Sequence, residues 1–178
     1  ADPRKVTGAY KLDEITYDEM LELASLGAQV LHNRSVEMAK RYNVNMEVLS
    51  SLTGNPGTKV KEVVKTVEKS HVSGVAKDKN VARVAVVGVK DEPGIAYKIF
   101  SLLAKQGINV DLILQSIGRN NTKDISFTIR REDMEQAKEL LEEQQEAIRF
   151  DHIDLSGGVA KVSIVGAGMI GNPGVAAR

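Results

Sequence analysis

The order of hydrophobic periods between residues 82 and 155 restricts the fold more than any other feature of the chain. ARVAVVGV (Ala82–Val89) is rich in β-branched residues and reads as a strand. In DEPGIAYKIFSLLAKQG, Pro93 suits the first helical position. Ile95, Ile99, Leu102 and Leu103 then recur at helical spacing until Gly107 stops the run. Ile108–Leu114 alternates, with Ile108, Val110, Leu112 and Leu114 on one face and Asn109 and Asp111 on the other. RNNTKD (Arg119–Asp124) reads as a hairpin loop and ISFTI (Ile125–Ile129) as a second alternating strand. Glu132–Gln145 is helical, with Met134, Ala137, Leu140 and Leu141 inward, and Ile148–Ile153 supplies a last strand. The resulting order is β-α-β-β-α-β.

That order predicts an α+β, ferredoxin-like unit: an antiparallel four-stranded sheet with both helices on one face and the other face open to a partner. Upstream, Thr16 and Glu19 form a capping box before a helix over 16–26, which Gly27 can end. Ser35 is a candidate cap for a helix over 36–42, with Val36, Met38 and Ala39 inward and Asn43 as its stop. Strands are expected at 46–49, 59–67 and 71–76, with a Gly/Pro loop over 53–58. Hydrophobic residues make up 42% of the 178, enough for a core, and aromatics only 4%, so that core is aliphatic. Lys+Arg and Asp+Glu balance at 24 each, so net charge makes no case for nucleic acid or an anionic membrane as partner. No run approaches the roughly 18 apolar residues of a membrane span. The first residues, ADPRKVTG, lack the apolar stretch of a signal peptide. Cys is absent, which excludes disulfides and thiolate metal sites. His32, His71 and His152 show no metal-ligand spacing, so no metal site is expected. A cytoplasmic protein is the expectation.

The last residues raise a separate question. KVSIVGAGMIGNPGVAAR contains Gly166-x-Gly168-x-x-Gly171 after a β-branched run, the spacing of a dinucleotide fingerprint. A dinucleotide unit opens its helix within the glycines and places an acidic residue about 20 positions on. Here Asn172-Pro173 follows, and a residue before proline is biased away from helix. An internal repeat explains the glycines better. VVGVKDEPGIA (Val86–Ala96) and IVGAGMIGNPGVA (Ile164–Ala176) share Val-Gly and then Pro-Gly-x-Ala, the second copy having two extra loop residues. A second β-α-β-β-α-β unit is therefore expected to begin with a strand over 161–166 and a helix from Pro173.

Both copies set small residues and free amides at a strand-to-helix turn, where N–H groups and the helix dipole favour an anion. The amides near Gly94, Ile95 and Ala96 could hold a carboxylate, and Asp91 could receive an ammonium group. Together these would describe a free amino acid. The plainer reading is that Asp91 caps the helix and Gly94 turns the chain.

These motifs carry a resemblance. VKDEPGIAYKIFSLLAKQGINVDLILQS resembles the first ACT domain of aspartokinase (aspartate kinase), and KVSIVGAGMIGNPGVA the opening of its second. ADPR and KLDEITYDEMLELASLGAQVLHNRSVEMAKRYNV resemble the end of its amino-acid-kinase domain. The resemblance implies four segments: 1–67, the C-terminal part of the α/β kinase domain; 68–80, a linker and strand toward the second ACT unit; 81–157, the first ACT domain; and 158–178, the start of the second. It implies phosphorylation of the side-chain carboxylate of L-aspartate with ATP and Mg²⁺ by the full-length protein. It also implies feedback control by lysine, threonine or both, bound between ACT domains paired across chains in a homodimer or hetero-oligomer. Carried over residue by residue, the effector positions are Asp91, Glu92, Pro93, Gly94, Ile95, Ala96, Asn109, Gln115, Val175 and Ala176. Arg4 and Gln29 fall at nucleotide positions.

Some positions depart from the pattern. Gln29 stands where a Lys is associated with nucleotide, Leu49 where an Arg is common, and Asn172 where a His is frequent. Ile95 stands where relatives with a threonine site can carry an acidic residue, so lysine and threonine both stay open as effectors. The alternative class is a non-enzymatic ACT-domain amino-acid sensor, against which the kinase-like first 60 or so residues argue. The family's lysine and glycine loops and its aspartate-binding residues would precede Ala1. Phosphoryl transfer requires several such groups acting together, so no catalytic residue is assigned here and no cofactor is expected in this chain alone. A kinase assay on the isolated chain is expected to show no ATP- and aspartate-dependent turnover.

Overall fold

The computed structural model describes residues 6–28, 30–63, 72–116 and 121–166. The chain divides into two compact units: residues up to Asp78 together with those from Val162, and Lys79–Lys161.

In the first unit, β1 (Glu14–Thr16) leads into α1 (Tyr17–Ser25), followed by α2 (Asn33–Arg41), β2 (Met46–Val48) and β3 (Thr58–Lys61). β3 is central, parallel to β1 and antiparallel to β2. Ile15, Tyr17, Met20, Val36, Ala39 and Val60 form the core. The capping box is present: the Glu19 amide donates to Thr16 Oγ1 at 3.2 Å and the Thr16 amide to Glu19 Oε2 at 3.3 Å. The other Glu19 oxygen accepts from the Ser73 hydroxyl, just before β4 (Gly74–Asp78). β4 pairs with β9 (Lys161–Val165) in a two-stranded sheet, and β9 occupies most of the strand expected at 161–166. The helix expected from Pro173 lies outside the described residues, as do 64–67 of the strand expected over 59–67 and His71 of that over 71–76.

Other readings of this unit change. The strand expected over 59–67 ends at Lys61, and that over 71–76 is displaced to Gly74–Asp78. α2 starts at Asn33, with His32 rather than Ser35 as its cap, because the His32 Nδ1 accepts from the Arg34 amide at 3.3 Å. Met38 is 43% exposed; with Val36 and Ala39 already inward, the arc of a nine-residue helix that faces the core is full.

The second unit has the expected order: β5 (Val81–Lys90), α3 (Ile95–Lys105), β6 (Ile113–Gln115), β7 (Thr122–Arg130), α4 (Met134–Glu143), α5 (Gln145–Ile148) and β8 (His152–Ser156). Its sheet runs β6-β7-β5-β8 with every pairing antiparallel, which is the ferredoxin-like arrangement. Val84 and Val86 of β5 and Ile125, Phe127 and Ile129 of β7 meet Ile95, Ile99 and Leu103 of α3 and Ala137 and Leu141 of α4 in one core. Phe100 meets Phe127 edge-on at 5.5 Å.

Helix ends follow their expected stops. After α1, α2 and α3, the left-handed residues Gly27 (φ 101°), Asn43 (φ 51°) and Gly107 (φ 74°) let the next amide bond back to a carbonyl five residues earlier. The pairs are Ala28 to Leu23 at 2.9 Å, Val44 to Ala39 at 2.9 Å and Ile108 to Leu103 at 3.1 Å.

Four boundaries move. Pro93 does not open α3, which starts at Ile95 after a turn. The strand expected over 108–114 is regular only at Ile113–Gln115. The amides of Asp111 and Leu112 both turn to Thr128, on its carbonyl and its hydroxyl at 3.0 Å each, so two residues oppose one and the alternation breaks. The helix expected over 132–145 is a 3-10 turn (Arg131–Asp133), then α4, then the separate turn α5. The last strand begins at His152, not Ile148. Ile148 and Phe150 are both buried, which mimics strand alternation, but Arg149 between them is left-handed at φ 59°.

Gly88 and Gly94 both have positive φ, 70° and 82°, but a β-carbon at Gly94 meets open space and one at Gly88 would lie 2.1 Å from Asp151 Oδ2. Gly94→Ala should therefore cost about 1–2 kcal/mol from backbone strain alone, and Gly88→Ala about 2–3 kcal/mol because the carboxylate must also move. Urea unfolding of the two variants checks the order.

Candidate functional site

The site expected from the sequence is built where β5 ends. Register shifts between Val86, opposite Ile125, and Val89, opposite Lys123. Gly88 lies in that irregularity, its amide donating to Asp124 Oδ1 at 3.0 Å. Asp124 is itself tied to the end of β6, its carbonyl accepting from the Ser116 amide at 3.0 Å.

The chain then leaves the sheet through Asp91. The Asp91 amide donates to the Asn121 carbonyl at 2.9 Å and the Glu92 amide to the Lys90 carbonyl at 2.9 Å. Ile95 N–H bonds to the Glu92 carbonyl at 3.2 Å, with Gly94 at φ 82°, ψ 2°. That is a type II turn with Pro93 second and Gly94 third, so the proline's fixed φ and the glycine's positive φ are both used. Lys98 N–H then bonds to the Gly94 carbonyl at 3.1 Å and the helix begins.

The Ile95 amide is consumed by the turn, and its side chain, 3% exposed, belongs to the core. Ile95 therefore offers a ligand neither group. Among the described residues, no acceptor meets the amides of Gly94, Ala96 or Tyr97. These N–H groups, with open space at Gly94, are donors left available to an anion. The Tyr97 amide was not legible in the sequence.

No side chain caps α3, so Asp91 is not its cap. Asp91 Oδ1 instead lies 2.7 Å from Lys123 Nζ on β7. Glu92 is held by Lys90 Nζ at 2.8 Å and faces Arg149 at 3.6 Å. The Lys90 hydrogen bond and charge, helped by Arg149, hold its carboxyl below the ordinary 4.5. Lys123 and Arg149 were missed in the sequence, where nothing marks which cation lies across the sheet from the loop.

Gln115 pairs with Ile125, itself opposite Val86, so it shares the loop's end of the sheet. Asn109 does not. Nearby Asp111 bonds to Thr128, whose partner is Arg83 near the start of β5. Asn109 thus stands at the far end of α3 from Asp91 within one chain. Arg4, Gln29, Val175 and Ala176 lie outside the described residues. Among the described residues, no three of His, Asp and Glu gather to hold a metal, and no helix is long and apolar enough to cross a membrane.

An ACT-domain family model matches residues 84–145 and an amino acid kinase family model residues 1–50. The aspartokinase of Geobacillus stearothermophilus is 49% identical over 177 residues, which is 99% of this chain and 42% of that protein. The chain thus spans less than half the length of the curated relatives it matches. Among solved structures, E. coli aspartokinase III in complex with lysine and aspartate (T-state) has a TM-score of 0.70 at 27% identity, covering 93% of this chain and 36% of that one. The ligand-free regulatory subunit of aspartate kinase from Thermus thermophilus has a TM-score of 0.57 at 38% identity, covering 61% of this chain and 72% of that one. On these matches the chain belongs to the aspartokinase family.

Proposed function

We propose that this chain is the regulatory portion of an aspartate kinase and that its ACT unit binds lysine, threonine or both for feedback control of aspartate-family amino-acid biosynthesis. In this reading the whole protein is cytoplasmic and transfers phosphate from ATP, with Mg²⁺, to the side-chain carboxylate of L-aspartate. Residues 1–67 end the kinase domain, 68–80 lead to the second ACT unit, 81–157 form the first, and 158–178 begin the second. The match of residues 1–50 to the amino acid kinase family favours an enzyme over a free-standing sensor. Arg4 would lie at the nucleotide, and neutral Gln29 would contribute no charge to its phosphates.

The observation that carries the effector reading is the loop from Asp91 to Ala96. Unused amides stand over open space beside a half-exposed carboxylate. A free amino acid has the two charges this arrangement complements: its carboxylate at the helix start and its ammonium at Asp91. The E. coli structure with lysine supports that ligand class. Val175 and Ala176 would form the same turn in the second module.

The separation of Asn109 from the loop supports a site shared between chains, one supplying the loop and the other Asn109. The exposed edge of β6, with Leu112, Ile113 and Leu114, is a surface on which two such sheets can pair. Sedimentation of the chain should give an assembly larger than monomer, and Ile113→Lys should shift it toward monomer. Calorimetry should give heat with lysine or threonine, and Ile113→Lys should weaken binding by about tenfold or more, since each half-site loses its complement. A monomeric parent chain that still binds an effector would overturn the shared-site reading.

A further inference from the structure

We propose that Lys123 is a built-in competitor for the effector: its ammonium occupies on Asp91 the place that a ligand's ammonium would take, and so sets how tightly the site binds an amino acid. The inference rests on the effector reading of Asp91.

The geometry makes the competition hard to avoid. Lys123 of β7 is paired with Val89 of β5, two residues before Asp91. Its neighbour Asp124 accepts from the Gly88 amide at 3.0 Å, which fixes this stretch of β7 against the irregularity in β5. The Asp91 amide is tied to the Asn121 carbonyl at 2.9 Å. Neither partner can therefore leave the other by a simple backbone swing. The lysine side chain is 18% exposed and the aspartate 55%. The cation is tucked against the sheet, while the carboxylate keeps an open side toward solvent. Lys90, also at this loop, is engaged by Glu92 at 2.8 Å.

An arriving ammonium meets a carboxylate already neutralised at 2.7 Å. It must share the oxygens with a like charge or push that charge aside, and either costs part of the attraction. A neutral side chain of similar length at position 123 removes the competitor and leaves the carboxylate for the ligand. Because Lys123 acts through Asp91, its effect must vanish when Asp91 is neutral. A purely structural role would weaken binding on removal and would not depend on the charge at position 91.

The test is calorimetric titration of lysine and of threonine into the chain and into Lys123→Met, Lys123→Arg, Asp91→Asn and the double variant Lys123→Met/Asp91→Asn, with circular dichroism confirming the fold of each. Expected are about two- to fivefold tighter binding for Lys123→Met, the scale of a partly exposed ion pair, and near-parent affinity for Lys123→Arg. Asp91→Asn should weaken binding about tenfold, and the double variant should bind like Asp91→Asn. If Asp91→Asn weakens binding but Lys123→Met leaves it unchanged or weakens it, the competitor is overturned while the effector site stands. Unchanged binding in Asp91→Asn, or no binding of either amino acid by the parent chain, overturns the ammonium site and the competitor with it.

Discussion

The hydrogen bond from the Gly88 amide to the Asp124 carboxylate is the constraint on which the rest of the site depends. A regular pairing of β5 with β7 would continue one residue against one. At Gly88 the backbone takes a positive φ instead, β5 advances three residues while β7 advances two, and the register resumes with Val89 opposite Lys123. Everything beyond inherits that offset. Asp91 reaches the Asn121 carbonyl and Lys123 reaches Asp91 because of it. A side chain at position 88 would meet Asp151 as well as strain the backbone, so glycine answers two demands at once.

Beyond the irregularity, the loop separates its charges from its donors. Asp91 and Glu92 are each met by a cation from another part of the unit, and the turn through Pro93 and Gly94 then begins α3 with no side-chain cap. A capped helix would have spent its first amides internally. Leaving them free costs little here because Gly94 and Tyr97 are exposed and Ala96 only half-buried. The same segment thus holds a donor pole and an acceptor pole, and only the acceptor pole is already partly occupied.

Much of this was legible in residue order. The period of Ile95, Ile99 and Leu103, the alternation of Ile125, Phe127 and Ile129, and the stops at Gly27, Asn43 and Gly107 report local geometry, which depends on nearby residues and survives in the fold. The boundaries that moved share a different cause. Ile148 and Phe150 imitate a strand because two buried residues two apart look alike whether a strand or a left-handed turn places them. The irregularity at Asp111 and Leu112 depends on the Thr128 carbonyl and hydroxyl, sixteen or more residues away. Pro93 is compatible with both a first helical turn and the second position of a type II turn, and the hydrogen bond from Ile95 to Glu92 selects the latter.

By itself, the sequence determined the β-α-β-β-α-β order, its partial repeat, the aliphatic core and the strand-to-helix turn at Asp91–Ala96, because period, turn chemistry and family motifs are written in neighbouring residues. Only the tertiary structure decided that the Ile95 amide is spent, that Asn109 and Asp91 lie at opposite ends of the unit, and that Lys123 stands on Asp91. The first comes from the turn that Pro93 and Gly94 adopt, one of two that their residue types allow; the other two come from strand register, which is set by packing between residues far apart in the chain.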